Sequence, residues 1–188
     1  MKNSLLINLY RRPETVFTLK DASLLFPKIT YNNLKARLAY YAKKSGIKKL
    51  GRGIYAKDGY NPWELANKLY TPSYISLETV LLKAGVIFQP YESIYCASYL
   101  TRTVAVAGRT IEYKRLPKTT LVNLEGIEVK DNVMAASPER AFLDAVYLYK
   151  DYHFDNLGGL DWNKIDQLKA IYHSRVLSRR VEDYARLR

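Results

Sequence analysis

The apolar positions in the first third of the chain repeat with the period of a helix. Leu34, Leu38 and Tyr41 follow one another at helical spacing and predict one buried helix face. Thr30 comes just before this face and is a good helix cap, because its hydroxyl can accept a bond from a free amide of the first turn. Gly46 follows the face and predicts the end of the helix.

Shorter patterns precede this helix. Residues 3–11 predict a first helix, and residues 16–18 are β-prone and predict a short extended stretch. Thr18 then predicts the cap of a second helix over residues 19–26, with Asp21 in its first turn to favour the helix dipole. Only a few residues separate this second helix from the long one, which is the close spacing of a helix-turn-helix.

A basic hairpin is predicted directly after the long helix. The apolar arms 47–50 and 54–56 flank the cationic turn Gly51-Arg52-Gly53, a pattern typical of two antiparallel strands. Three helices and a hairpin in fewer than sixty residues predict a winged helix-turn-helix DNA-binding domain over residues 1–58. Its predicted core consists of Leu6, Leu9, Leu24, Leu25, Leu34, Leu38, Ile47 and Ile54.

The polar positions of the long helix indicate how such a domain would read DNA. Asn32, Asn33, Ala36 and Arg37 would face the major groove, where Asn and Arg can make bidentate contacts to base edges. The lysines would neutralise phosphates, with Tyr40, Tyr41 and Tyr55 as further candidates for phosphate or sugar contacts. The alternative is a solvated basic face without function. The predicted DNA-binding residues are Thr30, Tyr31, Asn32, Asn33, Lys35, Ala36, Arg37, Tyr40, Lys43, Lys44 and Arg52.

The distribution of charge favours the DNA-binding interpretation. Of the net charge of +12, residues 1–60 carry +10, with 13 Lys and Arg against 3 Asp and Glu. Residues 61–188 carry +2, with 17 basic against 15 acidic side chains. A basic segment joined to a near-neutral one indicates a nucleic-acid module followed by a domain with another role. A membrane surface is the competing partner, but the bulky apolar stripe of a surface-lying helix is missing.

Other classes of protein are disfavoured by composition. No apolar run is long enough to span a bilayer, and the N-terminus lacks the pattern of a signal peptide, so we expect a cytoplasmic protein. The single Cys96 rules out a disulfide framework. With His153 and His173 as the only histidines, a zinc site of the usual Cys/His kind is not expected. We predict no metal, no cofactor and no catalytic residues.

The second part of the chain, residues 61–188, predicts an α/β domain with a small, mostly antiparallel sheet flanked by helices. The whole chain is therefore predicted to be α+β. Helices are predicted to start at Asn61-Pro62, near Ser73, at Ser137-Pro138 and at Asp161, with a last one at the C-terminus. About four strands are predicted from β-prone runs at residues 94–100, 102–106, 110–116 and 127–129.

Three motifs, taken together, resemble the AbiEi-like antitoxins of bacterial type IV toxin–antitoxin and abortive-infection systems, which serve in phage defence. The hairpin run Gly51-Arg52-Gly53-Ile54-Tyr55 is similar to the family's GRGxY wing. The run Tyr74-Ile-Ser-Leu-Glu-Thr-Val-Leu is similar to its YxSxxSAL helix, and the run from Ala136 to Asp144 to its ASPERALLD helix start. Their order and spacing strengthen the resemblance, which spans most of residues 15–150.

The resemblance implies a transcriptional repressor that binds inverted repeats of double-stranded DNA in the promoter of its own operon. A palindromic site implies two copies on the DNA. The resemblance also implies a C-terminal domain that neutralises a nucleotidyltransferase-like toxin encoded next door, without a stable complex between the two proteins.

Two alternatives from other classes stay open. Glu112 and Lys114 form an E-x-K pattern on a predicted strand, as in metal-dependent nucleases of the PD-(D/E)xK type, with Glu92 as the candidate for the second acid. Two charges that alternate with Tyr113 on the exposed face of a strand are the simpler interpretation of this pattern. The other alternative is a protein-interaction module that binds a toxin directly. In the Ser137-Pro138-Glu139-Arg140 run, capping and an i,i+4 pair between Arg140 and Asp144 are favoured over catalysis.

Overall fold

The computed structural model describes residues 4–44 and 46–187 and has a mixed α+β fold with two sheets, as predicted. The chain forms two compact units, Met1–Leu69 and Tyr70–Arg188, which we call the N-terminal unit and the C-terminal unit. The sequence predicted the boundary between residues 58 and 61. In the structure, the boundary lies further along the chain, between Leu69 and Tyr70. Among the described residues, no helix has the length and apolar character needed to cross a membrane.

The N-terminal unit alternates short helices with the three strands of its sheet. The predicted helices and hairpin are all present, close to their predicted bounds. The elements are α1 (Ser4–Arg11), β1 (Val16–Thr18), α2 (Leu19–Leu25), α3 (Tyr31–Lys43), β2 (Lys48–Gly51), β3 (Ile54–Ala56) and α4 (Pro62–Leu69).

The three-stranded sheet of this unit has the order β1-β3-β2, and both pairings are antiparallel. The helices pack against it around a shared apolar core, as the periodicity predicted. The core includes Leu5, Leu9, Phe17, Leu19, Ala22, Leu34, Leu38, Tyr41, Ile47 and Tyr55. The prediction of Leu24 as a core residue is wrong: it is 73% exposed, because α2 turns Leu19 and Ala22 inward instead.

Hydrogen bonds to the carboxylates of Asp21 and Glu64 fix the start of α2 and the position of α4. The cap predicted at Thr18 is confirmed, and Asp21 completes a capping box that was not predicted: the Thr18 hydroxyl accepts from the Asp21 amide, and the Asp21 carboxylate accepts from the Thr18 amide, each at 3.0 Å. Glu64 of α4 is fully buried, and its carboxylate accepts from the amide and the hydroxyl of Thr15, at 2.9 and 2.6 Å. These bonds attach α4 to the residue just before β1, so α4 belongs to the N-terminal unit.

The C-terminal unit is built on a six-stranded mixed sheet with the order β6-β7-β5-β4-β9-β8. The pairs β5–β7 and β4–β9 are parallel, and the other three pairs are antiparallel. The elements are β4 (Ser73–Ile75), α5 (Leu77–Lys83), β5 (Ile94–Ser98), β6 (Arg102–Val106), β7 (Arg109–Arg115), α6 (Lys118–Val122), β8 (Ile127–Lys130), β9 (Val133–Ala136), α7 (Pro138–Leu148), α8 (Trp162–Leu168), a 3₁₀ turn (Lys169–Tyr172) and α9 (Arg175–Ala185).

The four predicted strands are confirmed, but the sheet is larger than predicted. Residues 73–75 were assigned to a helix and form the strand β4 instead, and β9 was not predicted. Both lie in the middle of the sheet, where β4 pairs with β5 on one side and β9 on the other. The caps predicted at Ser137 and Asp161 are confirmed, since their side chains accept from amides of the first turn.

Candidate nucleic-acid interface

The helix α3 presents most of the predicted DNA-binding residues on its solvent side. Leu34, Leu38 and Tyr41 face the core, as predicted, and leave a wide outer face. All of the predicted site residues are exposed except Arg37, which is half-buried. The exposed members on α3 and at its ends are Thr30, Tyr31, Asn32, Asn33, Lys35, Ala36, Tyr40, Lys43 and Lys44.

The start of α3 differs in detail from the prediction. Thr30 occupies the N-cap position with extended backbone angles, φ −60° and ψ 148°, but its side chain makes no capping hydrogen bond. The first helical bond is made by the backbone instead, from the Leu34 amide to the Thr30 carbonyl at 2.9 Å. The prediction of a hydroxyl cap is therefore wrong, and the exposed Thr30 side chain stands at the end of the basic face.

The hairpin formed by β2 and β3 carries Arg52 at its tip, where the side chain is exposed. Gly53 adopts φ +74°, a conformation that L side chains rarely take, so this turn needs glycine at that position. The Gly53 carbonyl accepts from the Leu19 amide at the start of α2, at 2.7 Å. This bond ties the tip of the hairpin to the helical part of the same unit and fixes where Arg52 is presented.

The cations of this surface are available for a ligand. Within residues 4–44 and 46–187, no ion pair to a carboxylate is formed by Lys35, Arg37, Lys43, Lys44 or Arg52. By contrast, Lys57 is used inside the unit, where its ammonium donates to the backbone carbonyls of Tyr10 and Arg12. Lys48 pairs with Asp58 at 2.6 Å. The five cations on α3, at its C-terminal end and at the hairpin tip therefore have no ion-pair partner among the described residues.

Two of the three tyrosines that were candidates for phosphate or sugar contacts are core residues. Tyr41 is 9% exposed and Tyr55 is 2% exposed, and both belong to the core of the N-terminal unit. Tyr40 differs from them: it is 57% exposed and packs edge-to-face on Tyr41, with 5.8 Å between the ring centroids. Tyr40 and Tyr31 are thus the aromatic side chains that this helix offers to solvent.

In the C-terminal unit, the motifs at residues 74–81 and 136–144 meet in one buried network. Asp144 is fully buried and accepts from three hydroxyls: Ser76 at 2.7 Å, Tyr172 at 2.6 Å and Tyr74 at 3.2 Å. The Arg140 guanidinium lies 3.6 Å from the Asp144 carboxylate and over the rings of Tyr74 and Tyr172. Sequence alone predicted the Arg140–Asp144 pair but not its burial or its tyrosine partners.

Backbone carbonyls complete the surroundings of Arg140. Its guanidinium donates to the carbonyl of Thr120 at 2.7 Å and to that of Glu125 at 3.0 Å. Burial lowers the pKa of Arg140, but the charges of its neighbours outweigh that effect, so the net shift is upward and the guanidinium stays charged. Burial also raises the pKa of Asp144, against the effect of Arg140 and the three hydroxyls. The network is therefore structural: it ties α7 to β4, α6 and the 3₁₀ turn.

The E-x-K pattern forms a surface ion pair on β7. Lys114 contacts Glu112 at 2.9 Å, and both side chains are partly exposed. Glu92 is exposed, whereas Glu78 on α5 is only 5% exposed, and the charge of Glu112 acts on it. Burial raises the pKa of Glu78. The part of the chain that the structure describes contains no group of three or more His, Cys, Asp or Glu arranged to hold a metal.

Comparison with known proteins adds no assignment: no protein-family model matches the chain, and a search of curated proteins gives no match.

Proposed function

We propose that this protein is a sequence-specific DNA-binding repressor whose N-terminal unit is a winged helix-turn-helix. The element order α1-β1-α2-α3-β2-β3, with a sheet of order β1-β3-β2, supports this assignment. In that arrangement α3 is the recognition helix and the hairpin is the wing. The observation that carries the proposal is the row of exposed Asn and Lys side chains on α3 with the half-buried Arg37, whose cations form no ion pair with a carboxylate of the described chain.

The chemistry of this surface suits duplex DNA. Asn32, Asn33 and Arg37 present the amide and guanidinium groups that read base edges in the major groove. Lys35 and Lys43 on α3, Lys44 at its C-terminal end and Arg52 at the wing tip neutralise phosphates, so binding releases counterions and weakens steeply with salt. Tyr31, Tyr40 and the Thr30 hydroxyl add hydrogen-bond donors for phosphate or sugar at the rim.

We further propose that the protein is the autoregulating antitoxin of a type IV toxin–antitoxin operon. Support comes from the resemblance to AbiEi-like antitoxins, whose two C-terminal motifs contribute Tyr74, Ser76, Arg140 and Asp144 to a single network here. If this chain shares the fold of that family, we expect its motif residues to meet in one buried cluster, as these do. The toxin would be a nucleotidyltransferase-like protein encoded beside this gene and opposed without a stable complex.

Binding of the purified protein to the DNA upstream of its own gene tests the repressor proposal. Fluorescence anisotropy would compare that DNA with a scrambled duplex of the same composition, at two salt concentrations. We expect selectivity for the upstream DNA and a fall in affinity of at least tenfold when salt rises from about 50 to about 200 mM. Equal, weak binding to both duplexes would contradict the proposal.

The antitoxin proposal has its own test in cells. Expression of the neighbouring gene should slow growth, and co-expression of this protein should restore it. An Arg37→Ala variant should still restore growth, because the change lies outside the C-terminal unit. Co-elution of the two proteins would contradict neutralisation without a stable complex and would favour direct toxin binding.

A further inference from the structure

The strand β8 forms one edge of the six-stranded sheet and is paired on one side only. Its neighbour is β9, with Lys130 opposite Val133 and Val129 opposite Met134. Glu128, Val129 and Lys130 are all exposed. An open edge presents unpaired backbone donors and acceptors, which native proteins usually cover or use.

The register of the hairpin shows which backbone groups face the open side. Asp131 and Asn132 form a two-residue turn with φ of 50° and 62°, so the flanking pair Lys130–Val133 is hydrogen-bonded. Hydrogen-bonded and non-hydrogen-bonded pairs alternate along an antiparallel ladder. The amide and carbonyl of Val129 therefore point away from β9. The Ile127 amide points the same way and is bonded to the Leu124 carbonyl at 3.0 Å.

Apolar side chains are unusually exposed along this edge. Val129 is 71% exposed, and Val122 and Leu124, in the segment leading into β8, are 54% and 62% exposed. These three exposed apolar side chains lie in one eight-residue segment that includes an edge strand. In a monomer, such a segment favours association with another chain. Their contact with a partner would remove them from water.

The edge is complementary to itself. If two copies pair antiparallel about a two-fold axis at Val129, the two Val129 residues exchange amide-to-carbonyl bonds with each other. Glu128 of each copy then lies directly opposite Lys130 of the other, on one face of the joined sheet. Opposite charges at such positions stabilise strand pairing, and like charges destabilise it.

We propose that β8 is an interaction surface for a second copy of this chain, joined by two-fold antiparallel pairing centred on Val129. The contact is isologous, so it closes at two copies and does not propagate. A strand of four residues buries little area, so the pairing is weak and reversible in free solution. Detection of the dimer therefore needs a covalent cross-link, because a measurement of the mass in solution can miss a weak pairing.

Disulfide trapping is suited to this geometry. The Cα atoms of a directly opposed, hydrogen-bonded pair lie about 5.5 Å apart, within the range that a disulfide spans. Val129→Cys should therefore give a covalent dimer under mild oxidation. Val176→Cys on α9 is the matched control, because Val176 is 61% exposed and lies outside the sheet. The native Cys96 is buried and does not compete.

We expect Val129→Cys to cross-link at least tenfold faster than Val176→Cys at equal protein concentration and without DNA. Adding Glu128→Lys to Val129→Cys should slow cross-linking about tenfold, because two opposed pairs become like-charged. Adding Lys130→Glu as well should restore the rate. Circular dichroism of each variant would establish that the fold is retained.

Equal rates for the two cysteine variants would overturn the proposal. The proposal would also be overturned if Glu128→Lys lowers the cross-linking rate and the added Lys130→Glu does not restore it. That pattern would reflect damage to the hairpin and not repulsion between the two copies. Because no DNA is present, these outcomes are independent of whether the N-terminal unit binds an operator.

Discussion

Arg37 and Arg52 in the N-terminal unit contrast with Arg140 in the C-terminal unit. In the N-terminal unit, Arg52 is exposed and Arg37 is half-buried, and neither pairs with a carboxylate among the described residues. In the C-terminal unit, Arg140 is fully buried and contacts a carboxylate, two tyrosine rings and two carbonyls. A charge without protein partners is available to a ligand, whereas a charge with all its partners inside the protein holds the fold together.

This difference predicts separate consequences for the two groups of charges. Removing a cation from α3 or the wing should change DNA binding and leave the free energy of unfolding nearly unchanged. Removing a member of the buried network should unfold the C-terminal unit more easily, with no direct effect on base recognition.

The largest expected effect is that of Arg140→Met. This change leaves Asp144 buried without its cation, which typically costs about 3–5 kcal/mol. Urea denaturation followed by circular dichroism would measure the loss. The control is Arg109→Met on β7, where the side chain is exposed and the expected change is within about 0.5 kcal/mol. A loss below about 1 kcal/mol for Arg140→Met would mean that the network does not hold the unit together.

Glu64→Ala tests the buried charge of the N-terminal unit. The change removes the acceptor for the amide and hydroxyl of Thr15, and an unsatisfied buried donor costs about 1–3 kcal/mol. The free energy of unfolding should fall by that amount, while the exposed Glu182→Ala serves as the control. An unchanged stability would contradict the assignment of α4 to this unit.

Arg37→Ala should affect recognition without affecting stability. A lost bidentate base contact costs about 1–3 kcal/mol of discrimination, so the preference for the upstream DNA over scrambled DNA should fall. Lys43→Ala is the matched change in a phosphate contact. It should weaken binding to both duplexes about equally and reduce the slope of log affinity against log salt concentration by about 1. A footprint on the upstream DNA that Arg37→Ala leaves unchanged would exclude α3 as the recognition helix.

The smallest expected effect concerns the pH dependence of Asp21. Burial raises its pKa, but hydrogen bonds from Lys68 and Thr18 outweigh this, so the net shift is downward. A lowered carboxyl pKa stabilises the fold above the pKa of the unfolded chain, about 3.9, and the stabilisation is lost as pH falls through the folded-state pKa. Urea midpoints should therefore fall less steeply from pH 5 to pH 3 in Asp21→Asn than in the wild type. Equal slopes would show that Asp21 contributes nothing to acid unfolding.

Local patterns predicted most elements of the N-terminal unit, although they placed the helix that starts at Asn61-Pro62 in the second domain. The helical spacing of Leu34, Leu38 and Tyr41 gave the correct inner face of α3, and the glycines at 51 and 53 gave the hairpin. Leu24 was misassigned because α2 is only two turns long, too short for the period of its apolar residues to define one face.

Nonlocal pairing limited the prediction of the C-terminal unit. The strand β4 has three residues and runs directly into α5, so its sequence has no period of its own and was assigned to the helix. Its partners β5 and β9 lie far along the chain, and only the assembled sheet shows that it is central. The burial of Arg140 had one signal in the sequence: the run Ala141, Phe142 and Leu143 directly after it puts apolar side chains on three sides of α7, which is typical of a buried helix.

The most direct test of the central claim measures DNA binding and stability on the same protein. A triple variant, Arg37→Ala with Lys43→Ala and Arg52→Ala, would be titrated with the upstream DNA, and its urea midpoint would be recorded beside that of the wild type. The account predicts a loss of affinity of at least a hundredfold with an unchanged midpoint, since none of the three side chains pairs with a carboxylate among the described residues. Unchanged affinity, or a lost fold, would contradict the assignment of these exposed charges to DNA.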